Sequence, residues 1–503
     1  MNKNHKNHSV NPTSSHPYPI KSVTKRHERV KKIIFWFVLI NIVWLAAVIV
    51  YQMNKPLPPG VAYEGQIHNV SDVEFLTDLT YPSSDGSMKH EQQIMKRMEK
   101  VVSEAEQFLV IDLFLFNNYQ HTDQKFPQAS ERFTNLLINK KKDNPAMEMV
   151  FITDEVNTNY NSHPNALLER MKQHGIRVVV TDVDSLRDPT PIYSAVWRTY
   201  FQWFGQSGTG WLPNLMASDG PDVTLRSYLK LLNVKANHRK LVASEKSAIV
   251  SSANVHDPSI YHSNIAFEVS GNIIGDMLKA EQAVLDMSGG GQLPTFTPSP
   301  VNEQGSTQVR YLTEGKVANY ALDLMNEAEK GDTLWMGMFY LADRDIKSSL
   351  LDAASRGVSV KLILDPNENA FGQKKIGIPN RPVAQELVDE SKGQIEIRWY
   401  NTTKEQYHTK LLYLSRSNGP QLILGGSTNF TPRNLNNYNL ENDLYIEAPE
   451  NSKVATQVNG YFQRLWTNKD AEYTLDLAEY KDDIPFFKDL LYKLQYSLGF
   501  TTF

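Results

Sequence analysis

The chain has 503 residues, 41% of them apolar and 21% charged, with a formal net charge of −4. That length holds two or three domains around a large core, and the balance excludes wholesale disorder and any overall electrostatic pull toward nucleic acid. Cysteine is absent, which removes disulfides, thiolate catalysis and cysteine-ligated zinc.

Residues 1–32, rich in Asn, His, Ser and Pro at the start, read as a disordered cytoplasmic tail. The stretch 33–51, "IIFWFVLINIVWLAAVIVY", carries no charge and one polar interruption, Asn41. At ~1.5 Å rise per residue such a helix nearly covers the ~30 Å hydrocarbon layer. A cleaved signal peptide is the rival, but its apolar region is normally shorter, and "YQMNKPLPPG" lacks a small-x-small cleavage site. Lys21, Lys25, Arg26, Arg29, Lys31 and Lys32 precede the span, whereas Lys55 is the only basic residue soon after it. The positive-inside rule then predicts a single-pass protein with a cytoplasmic amino terminus and an extracytoplasmic bulk, which suits a bacterial surface protein.

Residues 52–89 read as a juxtamembrane segment with a stiff "KPLPPG" spacer. From residue 90, helical spacing at Ile94, Met98, Val101, Val102 and Ala105 runs into the strand-like "FLVIDLFLF". Much later Val317, Tyr320, Ala321 and Met325 lead into "TLWMGMFYL", and "SEAEQ" beside "NEAEK" at the same junction signals a duplication. In the first half the strand "AMEMVFITD" is followed by a helix ending at Gly175 and the strand "IRVVVTD". In the second, a helix ending at Gly357 is followed by "VSVKLILD" and "QIEIRWYN". This alternation predicts an α/β protein of two pseudo-repeated lobes, 90–287 and 309–503, each a mixed sheet flanked by helices. Residues 288–308 have linker composition. The first lobe carries an aromatic insertion, 189–235, with Trp197, Tyr200, Phe201, Trp203, Phe204 and Trp211. A cap over the site or between the lobes is the preferred reading, and contact with lipid headgroups the second. Near the carboxy terminus, Phe487, Leu490, Leu491, Leu494 and Leu498 form an amphipathic pattern expected to pack on a lobe.

Each half also carries a histidine two residues before a lysine. "HTKLLYL" places His408 and Lys410 on one face if it is a strand. "QLILGG" and "GSTNF" then bring Ser427 and Asn429 to a strand end. The first copy has His238 and Lys240, then "SAIVSSAN" with Ser252 and Asn254. Each offers a later carboxylate, Glu268 in "SNIAFE" and Glu441 in "NLEND", to hold the far nitrogen of an imidazole and fix its tautomer. Lysine and amide donors suit phosphate oxygens, and histidine suits nucleophilic or acid–base work near neutral pH.

These pieces resemble the phospholipase D superfamily, whose signature is His-x-Lys-x4-Asp followed by Gly-Ser-x-Asn, usually present twice. The chain departs where the family has its aspartate, with Glu245 and Ser415 in its place, and "SSAN" replaces the first glycine-containing turn. The resemblance implies a phosphodiesterase or phosphatidyltransferase with one site between two lobes, working through a phosphohistidine and needing neither metal nor cofactor. By similarity His238 is the nucleophile and His408 the acid/base, although a symmetric site permits the reverse. Lys240, Lys410, Asn254 and Asn429 hold the non-bridging oxygens in that reading. An anchored catalytic region beside headgroups favours a phospholipid substrate, as in phospholipase D or cardiolipin synthase. The alternatives are an anchored nuclease, for which the partner is nucleic acid, and a silent binder of phosphorylated ligands.

Overall fold

A computed structural model describes residues 20–83, 85–121, 125–206, 208–299, 303–370, 373–480 and 490–495. The helix Ile20–Asn54 contains neither glycine nor proline and runs unbroken through the apolar stretch. Its segment Arg26–Asn54, of mean hydropathy 2.8 and unburied by the rest of the chain, is long and apolar enough to cross a membrane. The helix begins earlier than the sequence reading allowed. Residues 20–32 are helical because nothing interrupts them after Pro19; the first nineteen positions of the expected tail lie outside the described residues.

Two mixed sheets follow. The first has eight strands in the order Met88–Gln92, Glu74–Pro82, Asn264–Val269, Ala248–Ser251, Lys240–Ser244, Phe108–Leu113, Glu148–Thr153, Arg177–Val180. The second has nine, in the order His68–Val70, Thr307–Thr313, Asn442–Ala448, Gln421–Gly426, Lys410–Ser415, Thr333–Met338, Ser359–Leu364, Ile395–Tyr400, Thr474–Asp476. Six successive strands correspond between the sheets, Asn264–Val269 through Arg177–Val180 with Asn442–Ala448 through Ile395–Tyr400. In both, the last three run parallel and the others antiparallel.

Strand alternation sorts the core. Leu241 and Ala243 face a central apolar cluster that also takes Leu411, Tyr413, Ile423 and Leu444 from the other sheet. Val242 faces the helices of its own lobe, as Leu412 and Leu414 do in theirs. The sheets therefore pack face to face with helices outside, and strands buried on both faces read as near-continuous apolar runs. Arg239, between His238 and Lys240, is fully buried; it pairs with Glu281 of its own lobe and crosses the lobe boundary to Glu314.

Three sequence expectations change. The segment 52–89 is more than a spacer: His68–Val70 extends the second sheet, and Glu74–Pro82 with Met88–Gln92 extends the first. Backbone groups beside an open sheet edge are best satisfied by joining it. The insertion is helical over Pro191–Val196, Trp197–Phe201 and Leu225–Leu231, and its aromatic stretch lies along the helix Ile20–Asn54 instead of between the lobes. At the carboxy end, Phe487 and Leu498 lie outside the described residues. The helical turns at 490–495 bury Tyr492 in the second lobe and leave Leu490 and Leu494 exposed, so the expected apolar face is not the one that packs.

Candidate active site

The lobes meet through two equivalent β-bridges, Asn237 with Leu440 and Tyr407 with Ser263. Each bridge holds the residue directly before a histidine, Asn237 before His238 and Tyr407 before His408. The histidines thus precede the strands that begin at Lys240 and Lys410, so their shared location comes from the cross-lobe bridges and not from strand alternation. The two imidazole centroids stand 6.5 Å apart at 70°. Both rings are buried, as are Lys240 and Lys410.

The surroundings repeat. Lys240 Nζ donates to the His238 carbonyl at 2.6 Å, and Lys410 Nζ to the His408 carbonyl at 2.7 Å. Lys240 lies over the Phe114 ring and Lys410 over Phe339, at 5.1 and 5.0 Å. The same two rings pack on His238 and His408. These phenylalanines were missed in the sequence, although each directly follows a strand end, in "IDLF" and "GMF". Asn254 and Asn429, 8% and 6% exposed, each hold a buried side-chain oxygen with no hydrogen-bond partner among the described residues. An amide end left unpaired inside a protein costs free energy unless something polar meets it.

Behind the rings the copies diverge. His238 Nδ1 donates to Glu441 Oε2 at 2.9 Å, across the lobe boundary. That carboxylate also accepts from Ser427 Oγ at 2.5 Å and from the Asn434 amide. His408 Nδ1 donates to Asn264 Oδ1 at 3.0 Å, likewise across the boundary, and Ser252 Oγ donates to the same oxygen at 3.0 Å. Ser252 accepts from Ile265 N as Ser427 does from Asn442 N, so the "SSAN" turn serves as its counterpart does. Asn264 therefore occupies the place of Glu441. Glu268, expected in that role, sits four residues along the strand and pairs with Arg97. The expectation failed because strand register, not distance from the serine turn, decides which side chain reaches the ring.

Two further details follow. His262 packs 5.9 Å from His408 and accepts Gln406 N at Nδ1, where Asn439 accepts Ala236 N in the other copy. Glu245, at the far end of the His238 strand, accepts the backbone N–H groups of Glu106, Gln107 and Phe108. In the second lobe Asp332 accepts from Ser417 in its place. Both carboxylates are remote from the histidines and hold strand ends. Gly426 is needed for close approach, since a Cβ there would meet Asn442 O at 2.3 Å.

Burial sets the electrostatics. It pushes both imidazoles well below their ordinary value, with Lys240 and Lys410 adding to the effect. It lowers Lys240 to about 7 and Lys410 well below the usual lysine range. It raises Glu441 to about 7 and Asp443 to about 8. The rings are accordingly neutral near pH 7. Nδ1–H of each is committed to an oxygen, which leaves both Nε2 lone pairs available.

A family model described as "Cardiolipin synthase, PLD-like domain" matches residues 321–466. No curated protein matches the sequence. Among solved structures, the phosphatidylserine synthase of Haemophilus influenzae Rd KW20 superposes with a TM-score of 0.53 at 11% identity, covering 86% of this chain and 95% of that one. At that identity the likeness speaks for the fold. The phospholipase D family member Nuc from Salmonella typhimurium reaches 21% identity and a TM-score of 0.26, over 34% of this chain and 97% of its own. Polyphosphate kinase from Porphyromonas gingivalis reaches 11% and 0.41, over 86% and 56%. The last two superpose too loosely to bear on the fold.

Proposed function

We propose, from the match of residues 321–466 to the cardiolipin synthase PLD-like model and from the shared fold, that the chain is a member of the phospholipase D superfamily and acts as a phosphodiesterase or phosphatidyltransferase on phospholipid headgroups through a phosphohistidine. The observation that carries this reading is the pair of buried imidazoles, one from each lobe, with ring centroids 6.5 Å apart and a lysine two residues after each.

His238 Nε2 attacks phosphorus, and the phosphorus–oxygen bond to the headgroup alcohol breaks. The Glu441 carboxylate on Nδ1 supports the positive charge that develops on the ring. His408, backed by the neutral Asn264 amide, takes up a proton from solvent at Nε2 as the anionic phosphodiester binds and delivers it to the leaving oxygen. It then takes a proton from the incoming water or alcohol, which displaces His238 and breaks the phosphorus–nitrogen bond. A carboxylate favours charge on a ring and an amide does not, so this asymmetry supports His238 as nucleophile and His408 as acid/base. The phosphodiester anion offsets the burial of Lys240 and Lys410 and raises the affinity of His408 for its proton. Asn254 and Asn429 give the non-bridging oxygens amide partners.

The charge asymmetry around the apolar helix supports a single-pass anchor with the lobes outside the cytoplasm. Incubating the whole chain with phosphatidylglycerol vesicles and with single-stranded DNA tests the substrate class. Headgroup release is expected, lost in His238→Ala. Nucleotide release without lipid turnover would replace this reading with a nuclease, and silence on both with a phosphate binder.

A further inference from the structure

The segment 191–204, "PIYSAVWRTYFQWF", holds one charged residue. It is helical from Pro191 through Phe201. Its side chains face outward in number: Ile192 is 60% exposed, Trp203 76% and Phe204 65%, with Trp211 at 64% beyond the tip. Contiguous aromatic surface of this kind needs a partner.

The partner is indicated by what the segment already touches. Arg187 Nε donates to Lys55 O and Asp188 N to Gln52 O, at the end of the anchor helix. Further along, Tyr200 Oη donates to Asn41 Oδ1 at 2.5 Å. The insertion thus descends antiparallel to the anchor, from Gln52 to Asn41, roughly 16 Å at ~1.5 Å per residue. Asn41 is the only polar residue of the 33–51 stretch, near its middle. The one charge, Arg198, is neutralised by Asp188, which is itself bonded to Lys235. Helical backbone with its polar groups paired internally, one ion pair turned inward and aromatic side chains outward is what a hydrocarbon environment tolerates.

We propose that residues 191–204 form a re-entrant wedge that enters the same bilayer leaflet as the anchor and holds the catalytic lobes against the membrane surface. The wedge is tied to the site: Met216 and Leu231 of the same insertion pack in the small cluster with Phe114, whose ring lies against His238. The histidine site is thereby held near headgroup level. This rests on the reading of 33–51 as a membrane anchor.

The absence of cysteine permits single labels. Trp44→Cys, Trp203→Cys and Glu104→Cys, each carrying an environment-sensitive fluorophore, are reconstituted in phosphatidylethanolamine–phosphatidylglycerol vesicles containing doxyl-labelled lipid. Position 104 is an exposed helix end beside the strand end remote from the histidines. The expected result is quenching at 203 comparable to that at 44, with none at 104. Quenching at 44 alone overturns the wedge and leaves the anchor standing. No quenching at 44 overturns the anchor reading and the wedge with it. Phe204→Cys repeats the measurement in case the label at 203 disturbs folding.

Discussion

Replacing Glu441 by Gln isolates the electrostatic part of the site, because the amide keeps the shape and loses the charge. The carboxylate is fully buried and 2.9 Å from His238 Nδ1. When phosphorus bonds to Nε2 the ring becomes cationic, and at an effective dielectric of about 20 the attraction over that distance is ~6 kcal/mol. The substitute amide retains a neutral hydrogen bond of ~1 kcal/mol, and Ser427 and Asn434 already draw on the carboxylate. A net loss of ~2–5 kcal/mol remains, a fall of roughly 30- to 5,000-fold in kcat/KM. Headgroup release from phosphatidylglycerol measures it, with acid-quenched trapping of the phosphohistidine as a second readout. Glu268→Gln, whose partner is Arg97 outside the site, is the control and should stay within ~0.5 kcal/mol of wild type. A kcat/KM for Glu441→Gln only a few-fold below wild type, with phosphohistidine forming at the normal rate, would refute the reasoning.

His408→Ala, assayed with a nitrophenyl phosphodiester whose leaving group needs no proton, should still phosphorylate His238 and then stall; mass spectrometry of the quenched chain finds the phosphate there, or on no histidine if the roles are wrong. Lys240 is held at about 7 by burial, so its ammonium is present below that pH and lost above it, while burial keeps both imidazoles neutral to below their ordinary value. The pH profile of kcat/KM should therefore be a narrow bell near pH 7, falling above it as Lys240 loses its proton and below it as Glu441 gains one. Orthovanadate should raise the unfolding temperature more at acid than at alkaline pH for the same reason, and an equal shift at both would remove the lysines from anion binding. Arg239→Met leaves Glu314 and Glu281 buried without their cation; a loss of ~3–5 kcal/mol is expected in thermal or denaturant unfolding.

The amino-acid sequence alone determined the apolar amino-terminal helix, the duplicated α/β plan and the two His-x-Lys pairs, because each is written in neighbouring residues: an uncharged run, strand and helix periodicities, a fixed spacing. The serine and asparagine turns were legible for the same reason. The tertiary structure decided what stands behind each imidazole. Glu441 and Asn264 lie 203 and 144 residues from the histidines they hold, and no local pattern records that each lobe supports the other's ring. Strand register put Asn264 at the His408 ring and sent Glu268 to Arg97. The contact of Tyr200 with Asn41 shows the same limit: composition marked the insertion as aromatic, but only the packing of chain segments 159 residues apart reveals which surface those rings share. Spacing along a chain fixes which groups are present; the closure of two sheets over one core fixes which of them meet.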